Sequence, residues 1–180
     1  MPLRVIAGEA GGRTLKGPRP GVRPTSDRVR EAIFEIVAAH AGELGRVLDL
    51  YSGTGALGIE ALSRGAEHCD FVEADAKASE IIRENLALTG LKEKARVLNL
   101  PVARALSRLE GSYDLVVADP PYEYDRAEAD LRDLIERGLL AEDGILVVEH
   151  SKRRAWPEEL SGRPTLLSRR YGDTNVTIYR

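Results

Sequence analysis

Several residue types that announce particular chemistries are scarce in these 180 residues: one cysteine, one methionine, three histidines and no glutamine. A lone cysteine, Cys69, excludes an intramolecular disulfide, and its place in the apolar run "HCDFVEAD" suits a small core residue better than a reactive thiol. His40, His68 and His150 stand far apart with no ligand spacing, so no metal site is expected. There is no run of eighteen apolar residues and no charged-then-apolar leader, which sets the expectation of a cytoplasmic protein without a membrane span. Neither a G-x-S-x-G elbow nor a Walker lysine occurs, and no internal repeat or low-complexity segment breaks the chain.

What is present reads as one folded unit. Hydrophobic residues make up 43% and charged residues 31%, a globular balance, and the length suits a single domain with a real core, a monomer by default. The net charge of −3 conceals an asymmetry. Residues 1–30 carry seven basic and two acidic residues, a net of +5, and residues 151–180 carry seven against three, a net of +4, so the middle stands at −12. Basic flanks around an acidic body suit a polyanion docking on one surface, although arginines that merely solubilise a face would look the same.

Glycine and proline crowd residues 8–24, which makes residues 1–25 a basic arm or hairpin belonging to the same unit as residues 26–180. Thr25, Ser26 and Asp27 offer helix caps, and Val29, Ile33, Ile36 and Val37 recur at helical spacing as far as His40. Strands "RVLDLY", "CDFVEAD", "ARVLN", "YDLVVAD" and "GILVVEH" then alternate with helices at 56–64, 76–89, 102–109 and 127–137. That rhythm predicts an α/β fold, a mostly parallel, doubly wound sheet covered on both faces. The tail, two strand-like runs around Tyr171-Gly172-Asp173-Thr174, predicts an antiparallel hairpin.

Two loops carry candidate chemistry. In "VLDLYSGTGALGIEAL" the glycines Gly53, Gly55 and Gly58 follow a strand and open a helix, and Glu73 ends the next strand. This could bind a dinucleotide. Asp49, four positions before Gly53, argues otherwise: a carboxylate there repels a pyrophosphate and welcomes a cationic ammonium. S-adenosylmethionine has an ammonium, a sulfonium and no phosphate, so it is the expected cofactor, lying against Tyr51, Ser52, Gly53, Thr54 and Gly55 with Glu73 on its ribose hydroxyls. The second loop is Asp119-Pro120-Pro121-Tyr122. The Asp119 carboxylate and the Pro120 carbonyl can accept hydrogen bonds from an exocyclic amine of a nucleobase, localise its lone pair and aim it at a methyl donor. Tyr122 supplies a face for an unstacked base.

Taken together, the segments "RVIAGEAGGRTLKGP", "RPTSDRVREAIF", "LDLYSGTGALGIEALSRGA", "FVEAD" and "ADPPY" resemble the RsmD-type methyltransferases, which methylate the N2 amine of one guanine in small-subunit ribosomal RNA. The third and fifth segments are common to many methyltransferases, whereas the first two are more specific. The resemblance implies the Rossmann-like fold of class I methyltransferases: a seven-stranded sheet with an antiparallel C-terminal hairpin, the arm lying beside the pocket. It also implies S-adenosylmethionine as cofactor and a hairpin loop of 16S ribosomal RNA as substrate, within an assembling or assembled subunit. Asp49, Gly53, Gly55 and Glu73 take the cofactor roles by motif match, and Asp119 to Tyr122 the catalytic ones. The stretch "LNLPVARAL" lacks the acidic residue that many relatives place after the third strand, leaving adenine to backbone near Val102. Arg23 and Arg28, and on the arm Arg13 and Lys16, are the candidate phosphate ligands. An adenine-N6 methyltransferase, an NAD-dependent oxidoreductase and a non-catalytic RNA-binding assembly factor are the competing readings.

Overall fold

The computed structural model describes residues 2–180; Met1, the first residue of the expected arm, lies outside the described residues. Five parallel strands form the body: β1 (Arg46–Leu50), β2 (His68–Val72), β3 (Ala95–Leu98), β4 (Tyr113–Ala118) and β5 (Leu140–Ser151). Their apolar runs have no polar face because helices cover both sides, as parallel sheets require. One face packs under α1 (Asp27–His40), α2 (Ala56–Ser63) and α3 (Ala76–Thr89), burying Val47, Phe71, Val117 and Val147. The other packs under α4 (Val102–Leu106) and α5 (Ala127–Glu136), burying Leu48, Val72, Val116 and Val148. Among the described residues no helix is long and apolar enough to cross a membrane.

Three further strands, β6 (Glu159–Leu160), β7 (Arg163–Tyr171) and β8 (Thr174–Tyr179), complete the order β3-β2-β1-β4-β5-β8-β7-β6. β8 runs antiparallel to both β5 and β7, and the expected C-terminal hairpin closes through Gly172 and Asp173. The sheet has eight strands where seven were expected. The extra one, β6, is only two residues long and joins β7 through Ser161 and Gly162, both at positive φ (44° and 83°), the geometry of a tight hairpin turn. No two-residue run has a readable period, which is why the sequence hides it. Boundaries shift elsewhere: β5 begins at Leu140 rather than Gly144, α4 stops at Leu106, and β2 ends at Val72 because Glu73 to Asp75 turn into α3, which Asp75 caps by accepting from Ala78 N–H at 2.8 Å.

The arm folds back as a hairpin, with Val5 N–H on the Arg13 carbonyl (2.9 Å) and Gly12 N–H on the Val5 carbonyl (2.8 Å). Leu3, Val5, Ala10 and Leu15 enter the core on the α2 side. Its backbone is tied to α2 by Glu60, which has no exposed surface and accepts from Ile6 N–H (2.9 Å) and Ala7 N–H (3.0 Å). Gly8, at φ 85°, crosses so close to α2 that a Cβ would lie 1.8 Å from the Ser63 carbonyl oxygen. Arg30 is wholly buried: its Nη2 donates to Asp27 at 2.6 Å and its Nη1 lies 3.7 Å from Glu60.

Candidate active site

The strand order reverses at β1, which pairs with β2 on one side and β4 on the other. Open α/β sheets bind ligands in the crevice at such a switch point, beyond the strands' carboxyl ends. The two candidate loops leave from these ends. Asp49 lies one residue before the end of β1, Glu73 one residue past β2 and Asp119 one residue past β4.

Gly53 and Gly55 both have positive φ, 56° and 79°, and Gly55 is the N-cap of α2. The two differ in surroundings. A Cβ on Gly53 would meet nothing within 4 Å, so the space above it is open, whereas one on Gly58 would sit 2.4 Å from Phe71 Cε1 and 2.8 Å from Cys69 Sγ. Gly58 therefore serves close contact between helix and sheet. Asp49 is 1% exposed and accepts from Gly58 N–H at 2.9 Å. Burial, and then the charge of Glu73, push its carboxyl well above the ordinary range. Glu73 itself accepts from Gly53 N–H (2.8 Å) and from Asp75 N–H (2.9 Å).

Other members of this loop point elsewhere. Ser52 Oγ donates to the Asp49 carbonyl (2.6 Å) and accepts from Val72 N–H (3.1 Å), stitching β1 to β2. Tyr51, at a left-handed φ of 55°, sends its hydroxyl to Asp130 on α5 (2.9 Å), where Tyr124 also donates (2.7 Å). Thr54 is buried, and its carbonyl accepts from Asn85 Nδ2 (2.9 Å), which also bonds the Lys16 carbonyl (3.1 Å). Asn85 thereby joins the glycine loop to the arm, a link that no sequence signal suggested. Val102 is buried at the start of α4. Asn99, also missed, donates from Nδ2 to the Glu73 and Ala74 carbonyls (2.9 and 3.0 Å), holding that turn from β3.

Past β4, Asp119 is partly exposed, Pro120 buried, and Pro121 and Tyr122 exposed. No hydrogen bond to the Pro120 carbonyl is found among the described residues. Tyr122 is 57% exposed, with its hydroxyl against Thr174 Oγ1 (2.9 Å) at the β7–β8 turn. Sequence reasoning missed Thr25 and Glu149. Thr25 Oγ1 lies 2.8 Å from Glu149 Oε2 and 3.2 Å from Asp119 Oδ2. Burial, followed by the charges of Glu149 and Asp49, raises the Asp119 carboxyl well above its usual range, and burial raises Glu149. Glu149 faces the same side of β5 as Val147, an alternation that could have revealed it. His150 is a structural residue, buried between Thr177 Oγ1 (2.8 Å) and the Ser151 carbonyl (3.1 Å), its proton affinity lowered by burial.

The four candidate cations do not converge. Arg13 donates to the Leu88 carbonyl (3.2 Å) and Lys16 pairs with Glu84 (2.5 Å), both over α3. Arg23 lies near enough to Glu149 to favour its charged form, and Arg28 is exposed on the first turn of α1. A separate cleft of about 600 Å³ opens at the opposite, amino ends of the strands. Its lining includes an ion-pair cluster in which Asp70 receives Arg96 (2.8 Å), His68 (2.9 Å) and the Tyr113 hydroxyl (2.5 Å), with Arg46, Arg108 and Glu110 beside it.

The chain matches the family described as Conserved hypothetical protein 95 over residues 3–180. It belongs to that family. Ribosomal RNA small subunit methyltransferase D of Escherichia coli (strain K12) is a relative, 36% identical over 156 residues that cover 86% of this chain and 78% of that protein. YlbH of Bacillus subtilis (strain 168) is 39% identical over 99% of this chain and 98% of its own length. Among solved structures, yhhF from Escherichia coli overlays with a TM-score of 0.87 at 32% identity, covering 99% of this chain and 97% of that one. Membership in the family accounts for the whole length of the fold, from arm to C-terminal hairpin, and bears out the RsmD-type resemblance and the class I methyltransferase architecture.

Proposed function

We propose that this protein transfers a methyl group from S-adenosylmethionine to the exocyclic N2 amine of a guanine in 16S ribosomal RNA of the small subunit. The observation that carries this reading is the set of four carboxyl groups at the switch point, Asp49, Glu73, Asp119 and Glu149, to none of which a basic side chain is hydrogen-bonded among the described residues. A pyrophosphate meets repulsion there, and a ligand bearing an ammonium and a sulfonium meets attraction. The name of the Escherichia coli relative gives small-subunit ribosomal RNA as what it methylates.

In this reading the backbone at Gly53 and Gly55 gives the cofactor its close approach, and Glu73 holds the ribose hydroxyls. Asp49 stabilises the loop and the cationic end. Tyr51 and Ser52 contribute through backbone, their side chains being engaged elsewhere, as does Thr54, and Val102 borders the adenine. The bound sulfonium supplies an electrophilic methyl group. Asp119 and the Pro120 carbonyl accept the two amine hydrogens, orient the nitrogen lone pair and stabilise the charge that develops on it. Pro121 keeps this track rigid, since proline fixes φ, and Tyr122 stacks the extruded base, a contact worth roughly 1–3 kcal/mol. Arg23 and Arg28 meet phosphates near the cleft, and Arg13 and Lys16 meet them farther along the arm, so residues 1–25 act as one unit with the methyltransferase domain of residues 26–180. The enzyme works in the cytoplasm as a monomer and needs no metal.

Labelled methyl transfer to 30S particles lacking the modification, to naked 16S RNA and to duplex DNA tests this, with nucleoside mass spectrometry of the product. N2-methylguanine is expected. Methyladenine as the main product overturns the substrate, and tighter binding of NAD than of S-adenosylhomocysteine overturns the cofactor.

A further inference from the structure

Thr25 immediately precedes Ser26, the N-cap of α1, and its hydroxyl stands between two carboxyls that come from different strand ends. Glu149 is 6% exposed. A hydroxyl has one proton to give. Were both carboxyls ionised, one of the two contacts would hold no hydrogen, leaving two anions, one of them the buried Glu149, facing a single donor, a costly arrangement. One added proton satisfies both: a carboxylic O–H donates to Thr25 Oγ1, and the threonine O–H donates to the other carboxylate.

The lengths indicate which is which. The bond from Thr25 to Glu149 (2.8 Å) is shorter than the contact with Asp119 (3.2 Å), as expected when the ionised partner is Glu149. The groups that face this pair agree. Arg23, from the arm, favours charge on Glu149, while Asp49, from β1, and Glu149, from β5, both disfavour it on Asp119.

We propose that Thr25 and Glu149 are positioning residues for Asp119: the two carboxyls share one proton across the Thr25 hydroxyl, resting on Asp119 in the free protein, and this makes Asp119 the group that takes the proton the target amine loses on methylation. This rests on the function proposed above. The balance closes over a turnover. Asp119 releases its proton to water when the cationic cofactor and the amine stand before it. As the N–C bond forms, the C–S bond breaks with its electron pair on sulfur, and the surplus proton on nitrogen passes to Asp119. The trio is then back in its resting state, one proton having left for each methyl transferred.

The test follows side-chain carboxyl titration by carbon-13 NMR in the ligand-free protein, alongside single-turnover methylation of 30S particles as a function of pH. Glu149→Gln should lower the pH at which Asp119 titrates, because a negative neighbour is gone. Thr25→Val should lower it too, because the acceptor for the Asp119 carboxylic O–H is gone, and Thr25→Ser should restore the wild-type value. The acid limb of the rate should move to lower pH in both variants. Thr25→Val should lower the plateau rate about tenfold or more, with S-adenosylhomocysteine affinity within about twofold. Titrations unmoved in both variants, a serine variant as slow as the valine one, or cofactor affinity lost together with rate would each overturn the trio. A wild-type protein inert toward the RNA, with the titrations moving as expected, would overturn the functional reading and the role of Asp119 as proton acceptor.

Discussion

Replacing Gly53 with alanine should separate cofactor binding from folding. The residue has φ 56° and a Cβ placed there meets nothing within 4 Å, so the fold bears only the left-handed backbone penalty, about 1–2 kcal/mol. At roughly 2–4 °C per kcal/mol for a domain of this size, the melting temperature should fall by only about 2–8 °C. The open space is where the cofactor is proposed to approach the backbone. A methyl group intruding into a well-packed contact costs about 1–3 kcal/mol, which is roughly a 5- to 150-fold loss of affinity for S-adenosylhomocysteine. Calorimetric titration and a thermal melt on the same preparation measure both quantities. Gly58→Ala supplies the contrast, since its Cβ would strike Phe71 at 2.4 Å and the main damage should be to stability. Binding by the Gly53 variant within twofold of wild type would refute the placement of the cofactor over this loop.

Other perturbations probe the remaining contacts. Glu60→Ala removes the acceptor for Ile6 and Ala7 and leaves the buried Arg30 short of a counter-charge, so a loss of about 3–5 kcal/mol is expected in chemical denaturation; a loss under 1 kcal/mol would contradict the claim that Glu60 anchors the arm. Tyr122→Ala should lower kcat/KM for the RNA roughly tenfold while cofactor affinity holds, and an unchanged value would remove the stacking role. Burial alone would raise the Asp70 carboxyl, but hydrogen bonds from Arg96, Tyr113 and His68 outweigh it and hold it below the usual range. Its stabilising contribution is therefore complete above about pH 4 and is lost as pH falls through the lowered folded-state value. Asp70→Asn should flatten the acid limb of stability, and an identical limb in both proteins would exclude that contribution.

Much of the fold was legible because it depends on local period and punctuation. The buried runs of β1, β2, β4 and β5, the cap at Ser26 and the glycine between Thr54 and Ala56 each leave a one-dimensional trace. The two-residue β6 and the early start of β5 leave none, since hydrogen bonding to a neighbouring strand defines them. The candidate site divides in the same manner. Asp49, Glu73 and Asp119 are readable because each follows or ends a strand, and strand ends of a parallel sheet gather at one edge.

By itself, then, the order of residues determined the fold class, the two loops and the sign of the charge around them, because helix and strand periods and glycine turns are short-range properties. Only the tertiary structure decided that Thr25 bridges Asp119 and Glu149, that Arg30 is sealed beneath the arm, and that Tyr51 and Ser52 turn their hydroxyls away from the glycine loop. Most of these contacts join residues far apart in the chain, and all depend on packing directions to which no local pattern refers.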